Sequence, residues 1–137
     1  MATKLEYFVT AQRSDESASV VSCKEVSLLI DTALAGRPDA LNPAELLLAA
    51  LAGCMIKGIE RVAPMLDFSF RGVAIRLHGI RQDAPPKMER INYEIMVDTD
   101  EPDRRLDLLH DNVKKFGTVF NTVASGATVE GILVRRS

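Results

Sequence analysis

An α+β domain is what this chain predicts, on three features. The run 42–55, Asn-Pro-Ala-Glu-Leu-Leu-Leu-Ala-Ala-Leu-Ala-Gly-Cys-Met, opens with a helix-start signal and is then apolar on nearly every side. Short segments before and after it alternate apolar and polar residues, the period of half-buried strands. Near the C-terminus, Leu106, Leu109, Val113, Phe116, Phe120 and Val123 recur at steps of three and four, the period of an amphipathic helix. Meanders of antiparallel strands with two helices to one side give the order β-β-β-α-β-β-α-β.

The elements follow in order. Residues 5–11 read as a strand with Tyr7 and Val9 on one face, and Ser14-Asp15-Glu16-Ser17 as a polar turn. Residues 18–23 and 26–31 read as two more short strands, which complete an N-terminal meander. The stretch 33–41, with Gly36, Pro38 and Asp39, is a loop. Asn42 is then a helix N-cap, Pro43 occupies the first helical position, and Glu45 sits where its carboxylate can reach back to the cap. This helix runs to about residue 63, where Pro64 disturbs the last turn. A helix apolar on all sides belongs in the middle of a domain.

Residues 68–80 read as a long strand, and Asp83-Ala84-Pro85-Pro86 as a turn. Ile91, Tyr93, Ile95 and Val97 then alternate with Asn92, Glu94 and Asp98 in the second strand of a hairpin. Residues 100–103 cap the second helix. Its stripe passes through Gly117, which costs a helix about 1 kcal/mol relative to Ala, so a break or kink is expected there. Ser125-Gly126 ends it, and residues 128–135 are a closing strand.

Composition limits the function. The 137 residues suit a single domain, 1–137. The 17 basic and 19 acidic side chains nearly balance, which argues against a nucleic-acid partner. No run has the roughly 20 apolar residues that span a bilayer, and no signal peptide is visible, so no membrane partner is expected. Cys23 and Cys54 are too few for a secreted disulfide scaffold. A soluble, cytoplasmic protein with free thiols is the expectation. His78 and His110 have no cysteine or carboxylate at ligand spacing, so no metal is expected. There is no glycine-rich phosphate loop and no Ser/His/Asp signature, and no cofactor is expected either.

Cys54 is the residue most able to carry chemistry. It is either an inert core cysteine or a reactive one in a prepared pocket. A thiolate is the reactive form, and apolar burial disfavours it, so a reactive Cys54 needs a cationic neighbour. Arg37, on the loop before the helix, is the first choice and Arg13 the second. Lys114-Lys115 is either a solvated helix edge or a basic cluster that draws an anionic substrate.

The run 42–55 resembles the signature of the OsmC/Ohr family: an Asn/Ser-Pro pair, an acidic position, an apolar helix and then the peroxidatic cysteine. The downstream order matches as well, with a long hairpin, a helix carrying a second motif and a closing strand. That second motif is Cys-Pro-Val followed by a small polar stretch such as Asn-Thr-Leu. Its counterpart here is Gly117-Thr118-Val119-Phe120-Asn121-Thr122-Val123. The resemblance covers essentially the whole chain. It implies an intertwined homodimer with active sites at the subunit interface. It implies that the first cysteine reduces a hydroperoxide and becomes a sulfenic acid, that the second condenses with it to a disulfide, and that a dithiol resets the pair. It implies that an arginine and a glutamate hold the first thiolate, roles that fall to Arg37 and Glu45 around Cys54.

Two positions depart from the family pattern. Gly117 stands in place of the second cysteine, so a sulfenic acid at Cys54 must be capped by an external thiol reductant or by Cys23. Ala44 stands where Ohr-type members carry glutamate. Glu45 is one residue later, and it also fits as the N3 partner of the Asn42 cap. Two functions are therefore expected from the resemblance. One is a one-cysteine hydroperoxide reductase acting through Cys54. The alternative is a degenerate dimer that binds a small apolar or acyl ligand without peroxidase activity. A purely structural role has no specific support in the sequence.

Overall fold

The computed structural model describes residues 4–136. The chain divides into two compact units, Met1–Leu47 and Leu48–Ser137, and the boundary falls inside the long helix. No helix among the described residues is long and apolar enough to cross a membrane.

The first unit holds β1 (Thr10–Arg13), β2 (Ala18–Cys23) and β3 (Val26–Asp31) in an antiparallel sheet of that order. The Asp15 carboxylate closes the first turn by accepting the N–H groups of Ser17 at 2.8 Å and Ala18 at 3.0 Å. The first strand differs from the expected 5–11. Pairing starts at Thr10, opposite Ser22, and β2 ends one residue later at Cys23. Leu5, Tyr7, Phe8 and Val9 thus have no ladder to join within the unit, and all four are exposed. Alternation shows that a segment could pair; it does not supply the partner strand.

Asn42 and Glu45 start α1 (Pro43–Leu66) as a reciprocal capping box. The Glu45 carboxylate accepts the Asn42 N–H at 2.9 Å, and the Asn42 side-chain carbonyl accepts the Glu45 N–H at 2.8 Å. At the other end, α1 continues through Pro64 to Leu66. Asp67 turns left-handed (φ 51°), the Phe68 N–H donates to the Ala63 carbonyl at 2.8 Å, and Arg105 donates to the Leu66 carbonyl at 2.5 Å. Helix-end carbonyls left open by the turn are satisfied in this way.

The second unit holds β4 (Gly72–Asp83), β5 (Pro86–Asp98), α2 (Asp103–Phe116), α3 (Thr118–Ala124) and β6 (Thr128–Arg135). The hairpin's first strand begins at Gly72, not at 68, because Gly72 pairs with Asp98 at the end of β5 and Phe68 is buried in the core. The sheet order is β4-β5-β6, and β6 runs parallel to β5. The helical crossover α2–α3 is the kind of long connection that a parallel pair requires. The expected second helix is two, broken at Gly117, whose backbone is extended (φ −82°, ψ 116°).

The core of this unit is built by Leu51, Met55, Ile59 and Val62 of α1, Ile91, Tyr93, Ile95 and Val97 of β5, and Leu106, Leu109 and Val113 of α2. Full burial of such a side chain contributes roughly 1.5–3 kcal/mol. The stripe on α2 faces inward as its spacing predicts. The α1 helix departs from expectation, because Ala49, Ala50, Gly53 and Ile56 remain exposed on its other side. Its all-round apolarity is only half used by the chain itself.

Candidate functional site

Cys54 lies at the border of the buried face of α1 and is half-buried, with a free thiol. The residue opposite it is Gly117, the joint between α2 and α3. A Cβ placed on Gly117 would lie 3.2 Å from Cys54 Sγ, 3.0 Å from Phe120 Cβ and 3.4 Å from the Val113 carbonyl oxygen. The sulfur thus rests against a bare stretch of backbone. One turn further along α1, a Cβ on Gly58 would meet Val113 Cγ1 at 3.3 Å, so the two helices approach closely there. Two small residues, Gly58 and Gly117, allow α1 to come this near to the α2–α3 joint.

Behind the joint lies a chain of packed rings. The Phe120 ring meets the Tyr93 ring edge-on, with centroids 6.3 Å apart, and Tyr93 meets His110 in the same way at 5.6 Å. The Tyr93 hydroxyl and His110 Nε2 are 2.6 Å apart. Burial pushes the Tyr93 phenol up to about 12. Loss of water, and then the nearby Lys114 charge, hold the His110 imidazole below its usual 6.5. A neutral His110 that accepts the Tyr93 O–H is the arrangement these surroundings favour. His78 is exposed on β4.

Arg37 and Glu45 lie in the first unit. The Arg37 side chain makes a bidentate pair with Asp39, Nε to Oδ1 at 2.6 Å and Nη2 to Oδ2 at 2.8 Å. Its Nη1 donates to Ser17 Oγ at 3.3 Å. Its backbone N–H donates to the buried Asp31 carboxylate at 2.9 Å, and that carboxylate also accepts the Ala33 N–H. The hydrogen bonds from Arg37 hold the Asp39 carboxyl below the usual range, and the guanidinium is raised in turn. Glu45 is engaged in its capping box. Arg13 is exposed on β1, and Cys23 is a half-buried free thiol at the end of β2.

Two cations on α1 itself were not among the residues singled out from the sequence. Lys57 and Arg61 follow Cys54 by three and seven positions, the spacing of one helix face. Lys57 is exposed, and Arg61 Nη1 donates to the Phe116 carbonyl at 3.4 Å, a long bond beside the Gly117 joint. Helical periodicity applied to Cys54 would have found both.

No curated protein matches the chain. Solved structures match along nearly its full length. An OsmC-like protein from Mycoplasma pneumoniae is 19% identical with a TM-score of 0.85, over 96% of this chain and 99% of the other. An organic hydroperoxide resistance protein OsmC from Legionella pneumophila is 17% identical with a TM-score of 0.73, over 98% and 100%. The organic hydroperoxide resistance protein OhrB of Bacillus subtilis is 18% identical with a TM-score of 0.67, over 94% and 98%. At these identities the likeness is one of fold. The family model for OsmC-like proteins matches residues 36–131, which takes in Arg37, the capping box, Cys54 and the Gly117 joint, and the chain belongs to the OsmC-like family.

Proposed function

We propose that this protein is a thiol-dependent hydroperoxide reductase in which Cys54 is the reacting sulfur and an external thiol completes the cycle. The Cys54 thiolate attacks an oxygen of ROOH and the O–O bond breaks. Sulfur is oxidised to the sulfenic acid, and ROH leaves with a proton from solvent. A first thiol R′SH condenses with the sulfenic acid, giving a mixed disulfide and water. A second R′SH attacks the R′ sulfur, releasing R′S–SR′ and the reduced Cys54. One hydroperoxide and two thiols become one alcohol, one water and one disulfide.

The observation that carries this reading is the seating of Cys54 Sγ against residue 117. The sulfur stands beside the position of the family's second cysteine, and glycine occupies that position. The reacting half of the site is kept, while its intramolecular partner is absent. Membership of the family, and neighbours named as hydroperoxide resistance proteins, support the substrate class. A reducing compartment such as the cytoplasm fits a cycle that consumes free thiols.

The expected result is stopped-flow loss of one equivalent of cumene hydroperoxide per chain, falling to the buffer background in Cys54→Ser. The same assay on Arg37→Gln and Glu45→Gln tests the roles that the resemblance gives those residues. If Cys54 consumes no hydroperoxide with any thiol present, the reductase reading fails. A dimer that binds a small apolar or acyl ligand then takes its place, and native mass spectrometry of the purified protein would show the ligand.

The self-partner belongs to the same reading. Val26, Leu28 and Leu29 are exposed on the outer strand β3, as are Tyr7 and Phe8 ahead of β1 and Ile56 on α1. Apolar surface of this extent, much of it next to a sheet edge, is what a second copy of the chain would cover. Sedimentation velocity is expected to give twice the chain mass; a monomer at micromolar concentration would remove the homodimer.

A further inference from the structure

We infer that the thiol which reduces oxidised Cys54 is one that carries carboxylate groups, and that Lys57, Arg61 and the Lys114-Lys115 pair are what selects it. The inference rests on the reductase reading, because it names the reductant of that same sulfur.

Three points of contact bring these cations to one place. Lys57 and Arg61 share the Cys54 face of α1, and Lys57 lies about 60° further toward solvent. Gly58, which follows Lys57, packs on Val113, which precedes Lys114. Arg61 reaches the Phe116 carbonyl, and Lys115 Nζ lies 5.4 Å from the Phe116 ring centroid, beside Gly117. Half-buried Cys54 is therefore followed by cations along α1 and faces a joint that has Arg61 and Lys115 at its preceding residue, Phe116.

The acids of the neighbourhood do not cancel this charge. Asp111 pairs with Lys114 at 3.9 Å, which leaves Lys114 the weakest member. Glu60 is about 120° round the helix from Cys54; it lies one turn from Lys57 and forms no ion pair with it. Among the described residues, no carboxylate forms an ion pair with Lys57, Arg61 or Lys115.

A second cysteine at the joint would need none of this, because it would reach the sulfenic acid from within the chain. With Gly117 there, both reducing sulfurs must diffuse in from solution. An array of cations raises the local concentration of an anionic reactant and speeds its arrival. Each incoming sulfur is itself a thiolate, and further carboxylates on the same molecule increase the attraction. The steps balance as written above, with R′SH the carboxylate-bearing thiol.

The test isolates the reducing half of the cycle. In a Cys23→Ser background, Cys54 is converted to its neutral 2-thiopyridyl disulfide, and release of thiopyridone is followed with three thiols. These are 3-mercaptopropionate, 2-mercaptoethanol and cysteamine, compared per thiolate. Mercaptopropionate is expected to react about tenfold faster than mercaptoethanol, with cysteamine the slowest. The spread should collapse to within about twofold at roughly 1 M salt, where the screening length is only about 3 Å. The Lys57→Gln, Arg61→Gln, Lys115→Gln triple variant should lose most of the spread at low salt.

A series that is flat across thiol charge overturns the inference, as does a Cys54 that takes up no thiopyridyl group. The salt series on unmodified side chains decides the matter if the triple variant does not fold. Failure of the reductase reading is separate: it would show as absence of hydroperoxide loss, whatever the thiol series gives.

Discussion

Gly117→Cys is expected to convert the proposed one-sulfur cycle into a two-sulfur cycle. One equivalent of hydroperoxide should oxidise this variant to a disulfide between Cys54 and the introduced cysteine, with Cys23 left as the single free thiol. The geometry is already close. Across a disulfide, the Cβ of one cysteine lies about 3 Å from the sulfur of the other, given an S–S bond near 2.04 Å. A Cβ on residue 117 would lie 3.2 Å from Cys54 Sγ. The Phe120 Cβ at 3.0 Å would have to give by a few tenths of an ångström, and the Val113 carbonyl at 3.4 Å is in ordinary contact. Such crowding costs roughly 1 kcal/mol. Closing the loop from 54 to 117 stabilises the oxidised form by about 4 kcal/mol in the chain-entropy account. The balance favours the bond, and the oxidised variant should melt higher than its reduced form.

Thiol titration before and after peroxide, with intact mass, reads the outcome directly. In the parent protein the same treatment should leave a sulfenic acid that dimedone traps. If Gly117→Cys also stays open and traps dimedone to the same extent, residue 117 is not the position facing the reacting sulfur. The reading of this site as a two-cysteine site with one half missing would then fall.

The elements legible in the sequence are those fixed by neighbours in the chain. The Asn42/Glu45 box, β2, β3 and β6 stand where local pattern puts them. The break at Gly117 follows from glycine's cost inside a helix, although the stripe of Leu106 to Phe120 runs straight through it. What was not legible depends on pairing between distant segments. Residues 5–9 alternate like a strand, but β2 ends before they could pair. The parallel match of β5 and β6 depends on where the α2–α3 crossover returns the chain, which no local period encodes.

The candidate site divides along the same line. Cys54 stands out by its place in an apolar helix, and Gly117 by its departure from a family motif. That the two touch is a fact of packing between α1 and the α2–α3 joint. Lys57 and Arg61 show the opposite failure. Their spacing from Cys54 is present in the sequence as one helix face, three and seven residues on. Arg37 stands out by its loop ahead of the helix, and its side chain in the structure pairs with Asp39.

Gly131→Val is expected to lower stability by about 3 kcal/mol, roughly a 10 °C loss in melting temperature. Gly131 pairs with Tyr93 across the parallel β5–β6 ladder. A Cβ there would fall inside the Tyr93 carbonyl and ring, so backbone or ring must move. Moving the ring breaks the Tyr93–His110 bond and admits water to the imidazole. A second readout separates this from general damage. The imidazole of His110 is held below 6.5, so the unfolded chain takes up its proton more readily than the folded one. Folding stability therefore falls as pH drops through about 6.5 toward the folded value, and the term is absent above 6.5. Gly131→Val should flatten this acid-side slope, because a wetted His110 titrates alike in both states. His110→Gln should flatten it as well, at a smaller cost in stability. Denaturant midpoints from pH 5 to 8 check both variants. If Gly131→Val loses stability but keeps the full slope, Tyr93 still covers His110, and the coupling from β6 to His110 through the Tyr93 ring is refuted.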